Sequence, residues 1–223
     1  HRAGEERADC GDAERDTGRV LLPAARGGQC LDFARLRGDA IEDDLARRVF
    51  SIDAMAVSPE TPECIIDPTG GLQDLRDRRL RLAGPTAIEA DPLRALRGVR
   101  LATELDLRIE PQTLASIRAA ASSLPRVSPE RIRDEWMRVL QSERPGRPIR
   151  LLDHLGLLGA VFPEIESLRG LGQPPPHAFD GLTHTLAVID RLGDLQSVLG
   201  PHSDEHRPAD LPLGEAEDPA RLL

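Results

Sequence analysis

The chain has 223 residues, with 29 basic against 38 acidic side chains, a formal net charge of −9, and 39% hydrophobic but only 2% aromatic residues. That length allows one or two domains with a sizeable core, and no apolar run approaches the roughly 18 to 20 residues that a membrane span needs. A soluble protein is expected. The three cysteines, Cys10, Cys30 and Cys64, are odd in number and lack metal-ligand or pairing spacing, which fits a reducing cytoplasm.

Every basic residue is arginine and tyrosine is absent, a bias of the coding sequence that carries no functional argument. The chain opens on His1 with polar and charged residues and no signal-peptide pattern, so a fragment is expected. Residues 1–18 have no apolar period and read as a disordered tail or severed connection. From Arg19, short apolar runs on either side of Arg26-Gly27-Gly28 predict the two strands of a hairpin. Asp43 and Asp44 then precede LARRVFSIDAMAV, where Leu45, Val49, Ile52 and Ala56 recur at intervals of four and three. This spacing predicts a helix with a favourable acidic start, closed by Pro59 and Pro62. CIID (64–67) predicts a brief strand, Pro68-Thr69-Gly70-Gly71 a turn, and the residues after it a short helix running into a strand.

Beyond Gly84-Pro85 no further strand is predicted. Helices are expected at about 92–105, 111–121, 129–141, 149–159 and 182–199. Three of them open on proline, whose missing N–H costs nothing at the first helical position, and Ser128 is a favourable cap before Pro129. The stretch 170–176 (GLGQPPP) reads as a linker or domain edge, and 201–223 as a mobile acidic tail.

Three segments in order, DDLARRVFSIDAMAV (43–57), IIDPTGGLQDLRDRRLR (65–81) and ADPLRALRGVRLATELDLRI (90–109), resemble the second, third and fourth conserved blocks of the class II CCA-adding tRNA nucleotidyltransferase and bacterial poly(A) polymerase family. VSPERIRDEW (127–136) resembles the fifth, and LLDHLGLLGAVFPEI (151–165) continues the match, which covers roughly residues 19–192. The resemblance implies an α+β fold: a partial nucleotidyltransferase β head (19–85), a helical neck holding nucleotide and RNA (86–144), and a helical body (145–200). It also implies template-independent addition of C and A, or of poly(A), to RNA 3′ ends, with CTP and ATP as substrates, tRNA as partner and no membrane. The shared blocks do not separate CCA addition from poly(A) addition.

Nucleotidyl transfer in this family depends on Mg2+, held by an Asp-x-Asp pair in the first block after a glycine-rich turn. Before Asp32 no glycine-glycine turn leads into two alternating aspartates on a strand, so the chain as given is expected to lack its metal ligands and to be inactive. Asp32 matches the position of a third acidic residue near that pair. In the second block two arginines precede an aspartate, with an asparagine four residues later. Here the series runs Arg47, Arg48, Val49 and then Asp53, so the arginines match triphosphate contacts and Asp53 a ribose position, with both carboxyl and amide altered.

The fourth block is the most informative. Asp91 and Arg94 lie three apart across a helix start and so can face one spot. A carboxylate accepts and a guanidinium only donates, which complements the exocyclic amine and ring nitrogen of cytosine and adenine but not uracil or guanine. Arg97 and Arg100 continue the stripe toward phosphate, and Ala90 stands where an acidic residue is common. Asp91-Pro92 is equally what an ordinary helix cap looks like. The arginines at 76, 78, 79, 81, 94, 97 and 100 are expected to concentrate positive charge at the head–neck junction, although a solvated charged face is the simpler reading of such a run. DPTGG (67–71) resembles the family's head–neck hinge, and His177, Asp180 and His184 resemble the opening of a metal-dependent phosphohydrolase domain. No later His-Asp pair completes that set, so these three read as cap or packing residues. A rival reading is a non-catalytic RNA-binding or interaction module that retains the neck and body.

Overall fold

The computed structural model describes residues 8–9, 17–21, 30–172, 174 and 178–199. The chain divides into two compact units, residues 1–44 and 45–223. In the first, strands β1 (Ala8–Asp9), β2 (Thr17–Leu21) and β3 (Cys30–Ala34) form an antiparallel sheet in that order. The predicted hairpin is β2–β3, with Thr17 opposite Ala34 and Leu21 opposite Cys30. Pairing starts earlier than apolar periodicity indicated, at Ala8 and Thr17, because ladder hydrogen bonds need only backbone groups. The remainder of 1–18, and all of 201–223, lie outside the described residues. Both faces of β3 are exposed, including Leu31, Asp32 and Phe33. Helix α1 (Ile41–Leu45) follows, its start tied down by Asp43 Oδ2, which accepts from the amides of Asp39 and Ala40 at 3.2 Å.

The helix expected over 45–57 does not form. After α1 the chain turns, and Phe50, with no exposed surface, makes a β-bridge with Leu82. The Ser51 amide donates to the Arg81 carbonyl at 2.9 Å and the Ala83 amide to the Val49 carbonyl at 3.0 Å. A single turn of 3-10 helix (Ser51–Asp53) and strand β4 (Ala56–Ser58) complete the segment. Val49, Phe50 and Ile52 are residue types that also suit extended pairing, and the tertiary partner at 81–83 decides against the weak helical period.

β4 pairs antiparallel with β5 (Thr61–Ile66). The turn after it is an anchored cap rather than a loose hinge: Asp67 accepts from the amides of Gly71 at 2.7 Å and Leu72 at 2.9 Å at the start of α2 (Gly71–Arg76). A side chain at Gly71 would place Cβ 2.1 Å from the Ser51 carbonyl oxygen, so only glycine lets α2 approach this closely. Strand β6 (Arg79–Leu80) pairs in parallel with β7 (Arg108–Ile109). β7 is a strand where none was predicted beyond residue 85, too short to leave a period in the sequence.

Around these strands pack α3 (Ala87–Ala90), α4 (Leu93–Glu104), α5 (Pro111–Ala119), α6 (Pro129–Leu140), α7 (Gly146–His154), α8 (Leu157–Val161) and α9 (Gly181–Leu199). Buried Ala95, Leu96, Val99 and Ala102 give α4 a continuous inner stripe. It packs against α5, α6 and α7, with Ile117, Leu124, Val139, Ile149, Leu151 and Leu152 among the core. The single helix expected over 149–159 is two, broken where Gly156 takes a left-handed φ of 75°, a conformation glycine adopts without strain.

Two carboxylates organise this unit. Asp74 on α2 is fully buried and accepts from Ser51 Oγ at 2.6 Å, Arg79 Nε at 2.6 Å and Arg81 Nε at 2.9 Å. Burial pushes its carboxyl up, but the hydrogen bonds from Ser51, Arg81 and Arg79 outweigh it and leave it below the ordinary range. Asp180 precedes α9 and accepts from the Thr183 amide and, at its other oxygen, the Gly170 amide, both at 2.8 Å. The Thr183 hydroxyl and these two amides bring it down to about 2.

Asp74→Ala leaves two guanidinium groups without their buried partner and is expected to cost about 3 kcal/mol in denaturant unfolding at pH 7. Because the folded carboxyl is depressed, that stabilisation is present above the ordinary aspartate range and is lost as pH falls below it. Asp180→Ala is expected to lower the thermal midpoint at pH 7, and the gap from the unaltered chain should close as pH falls toward 2, read from paired melting curves across that range.

Candidate nucleotide-reading site

The corner between α3 and α4 is built by Asp91, whose extended backbone (φ −151°, ψ 99°) separates the two helices. Pro92 follows it, and Asp91 Oδ1 accepts from the Leu93 amide at 3.3 Å. The cap and the exposed carboxylate are therefore the same residue. Asp91 and Arg94 lie side by side: Arg94 Nε is 3.8 Å from Asp91 Oδ2, and their side chains are 23% and 25% exposed. They neither point apart nor vanish into the core. Arg94 Nη1 donates to the Ala87 carbonyl at 2.9 Å, which ties the guanidinium back along α3.

A third group meets them from α6. Arg131 Nη2 binds Asp91 Oδ2 at 2.6 Å across 40 residues of sequence. Beside this pair is a cleft of about 550 Å³, lined by residues that include Ala90, Asp91, Ser123, Arg126, Ser128 and Arg131. Arg131 matched the fifth block, but nothing in its sequence neighbourhood signals that it reaches Asp91.

The other expected site residues are placed differently. Arg97 Nη2 pairs with Asp53 Oδ2 at 2.9 Å, and Arg97 Nε is buried without a hydrogen-bond partner among the described residues. Asp53 and Arg97 thus form a second charged pair from the 3-10 turn and α4. Arg100 is held by two carboxylates. Its Nε binds Glu135 and its Nη1 binds Glu104, each at 2.7 Å, and its side chain is 11% exposed. Burial works against its charge, and Glu135 and Glu104 more than restore it. Arg47 and Arg48 lie exposed in the turn after α1. Asp32 belongs to the first unit, where Cys30 Sγ is its neighbour at 3.8 Å.

The arginines expected to gather free positive charge at the head–neck junction are largely spent internally. Arg78 binds Asp106, Arg79 and Arg81 bind Asp74, and Arg94, Arg97 and Arg100 have the partners given above. Of that group only Arg76 has no such carboxylate among the described residues. Among the described residues no three His, Cys, Asp or Glu side chains converge as a metal set. Asp180 is committed to capping α9, and His177 lies outside the described residues. No helix among the described residues is long and apolar enough to cross a membrane.

A family profile described as "Poly A polymerase head domain" matches residues 17–81, and one described as "Probable RNA and SrmB- binding site of polymerase A" matches residues 106–168. The chain is 38% identical over 157 residues to the A-adding tRNA nucleotidyltransferase of Deinococcus radiodurans, covering 68% of this chain and 36% of that protein. It is 42% identical over 151 residues to the CC-adding tRNA nucleotidyltransferase of Geobacter sulfurreducens, covering 68% and 34%. The chain thus spans about a third of the length of these curated relatives. The solved structure of the Thermotoga maritima CCA-adding enzyme complexed with tRNA superposes with a TM-score of 0.62 at 29% identity, over 76% of this chain and 40% of that one. A strand-rich segment followed by helices, each matched in the same order, gives an α+β chain that belongs to the bacterial poly(A) polymerase and CCA-adding tRNA nucleotidyltransferase family.

Proposed function

We propose that this chain is the nucleotide-selecting portion of a template-independent nucleotidyltransferase that adds C and A to RNA 3′ ends, with CTP and ATP as substrates and the tRNA acceptor end as partner. The observation that carries the reading is Asp91: a carboxylate held at a helix corner, at the edge of an open cleft, with Arg94 beside it. The carboxylate accepts a hydrogen bond from the exocyclic amine of cytosine or adenine, and the guanidinium donates to the adjacent ring nitrogen. Uracil and guanine offer a carbonyl and an N–H on that edge, and would set acceptor against acceptor and donor against donor. Selection therefore needs no nucleic-acid template.

Arg47 and Arg48 are exposed and suited to a triphosphate. Asp53 matches the family's ribose position, and its pairing with Arg97 fits weakened sugar recognition. The family's transfer chemistry generally uses divalent ions, and the described residues do not assemble a metal set. The names of the relatives, one A-adding and one CC-adding, support CCA addition over poly(A) addition. A cytoplasmic location goes with that role.

Asp91→Asn replaces an acceptor-only group with an amide that also donates. Equilibrium titration of this variant is expected to show CTP and ATP weakened about tenfold, near 1.4 kcal/mol, with UTP and GTP unweakened. Equal affinity of the unaltered chain for all four nucleotides would support the non-catalytic RNA-binding reading instead.

A further inference from the structure

We infer that Arg131 on α6 is a positioning residue that keeps Asp91 available for base selection, an inference that rests on the base-reading role proposed for Asp91. Two guanidinium groups compete for one carboxylate. Arg131 Nη2 holds Asp91 Oδ2 at 2.6 Å, whereas Arg94 Nε stands 3.8 Å from the same oxygen. The first distance is a strong charge-assisted hydrogen bond, and the second is too long to be a hydrogen bond at all. Arg94 is restrained on its other side by its bond to the Ala87 carbonyl at 2.9 Å.

Asp91 and Arg94 are three residues apart on the α3–α4 corner and can close on each other. Closed, each satisfies the hydrogen-bonding group that the other must offer to a base, and neither edge remains to be read. Arg131 prevents this by pulling the carboxylate toward α6. It occupies Oδ2 only. Among the described residues Oδ1 has just the long 3.3 Å bond from the Leu93 amide and keeps capacity to accept from an amine. Asp91 and Arg131 both line the cleft, and Arg94 stands beside Asp91 at its edge. Arg131 therefore sets the direction in which the carboxylate is presented.

The test titrates the full 223-residue chain carrying Arg131→Gln, Arg131→Lys or Asp91→Asn with CTP, ATP, UTP and GTP, and records thermal midpoints in parallel. Arg131→Gln is expected to weaken CTP and ATP about tenfold, the size of one charge-assisted hydrogen bond, and to leave UTP and GTP as they were. Arg131→Lys keeps the charge but loses the planar fork, and about a threefold loss of preference is expected. If Arg131→Gln does not fold, the lysine variant decides. Weakening of all four nucleotides alike, or a change in thermal midpoint with preference intact, overturns the inference. Loss of preference in Asp91→Asn with none in either Arg131 variant overturns it while the base-reading role stands. No preference in the unaltered chain, or an unchanged one in Asp91→Asn, overturns both.

Discussion

A carboxylate sealed from water must be matched by donors, and the second unit of this chain is arranged around that requirement at Asp74. Ser51, Arg79 and Arg81 converge on it from two separate segments. Arg81 also donates to the Thr69 carbonyl at 2.5 Å, which binds the turn before α2 into the same network. Gly71 permits the close approach of α2 to Ser51. The segment bearing both arginines pairs with β7 at Arg79 and Leu80 and leads into the α3–α4 corner. Asp91 is presented at a fixed place because the segment leading to it is anchored in this way, in addition to its own cap.

Charge in this protein is used more for joining than for display. Pairs such as Asp53–Arg97, Arg100–Glu135, Asp91–Arg131 and Arg150–Asp190 connect elements far apart in sequence. Exposed pairs of this kind add little stability individually. The value of the partly buried ones is geometric, since a planar guanidinium fixes the direction of its partner as well as its distance. An acidic chain that spends its arginines internally relies on the few left over, and on local rather than net potential, for any contact with RNA phosphates.

The helices were legible because their causes are local: proline at the first turn, an apolar stripe, a capping carboxylate, although Ser128 makes no side-chain cap bond at the start of α6. The adjacency of Asp91 and Arg94 was legible because they lie three residues apart across a helix start. Phe50 was misread because its partner, Leu82, is remote, and a strand-like bridge overrode a helical period. β7 was too short for any period. Arg131 and Glu135 sat on a recognised helix, but their partners lie 40 and 35 residues away, and no local pattern encodes a contact at that range. Arg100 likewise looked like part of an outward stripe until Glu135 was placed opposite it.

The long-range pairs of α4 have a consequence for how the protein is made. α4 and the corner before it leave the ribosome ahead of their partners on α6, because Glu135 follows Arg100 by 35 positions and Arg131 follows Asp91 by 40. At about 5 to 20 residues per second, roughly two to eight seconds pass in which Arg100 has only Glu104 of its own helix and Asp91 lacks Arg131. During that interval the packing of α4 is provisional, and the arrival of α6 both fastens α4 and gives the corner at Asp91 its final form.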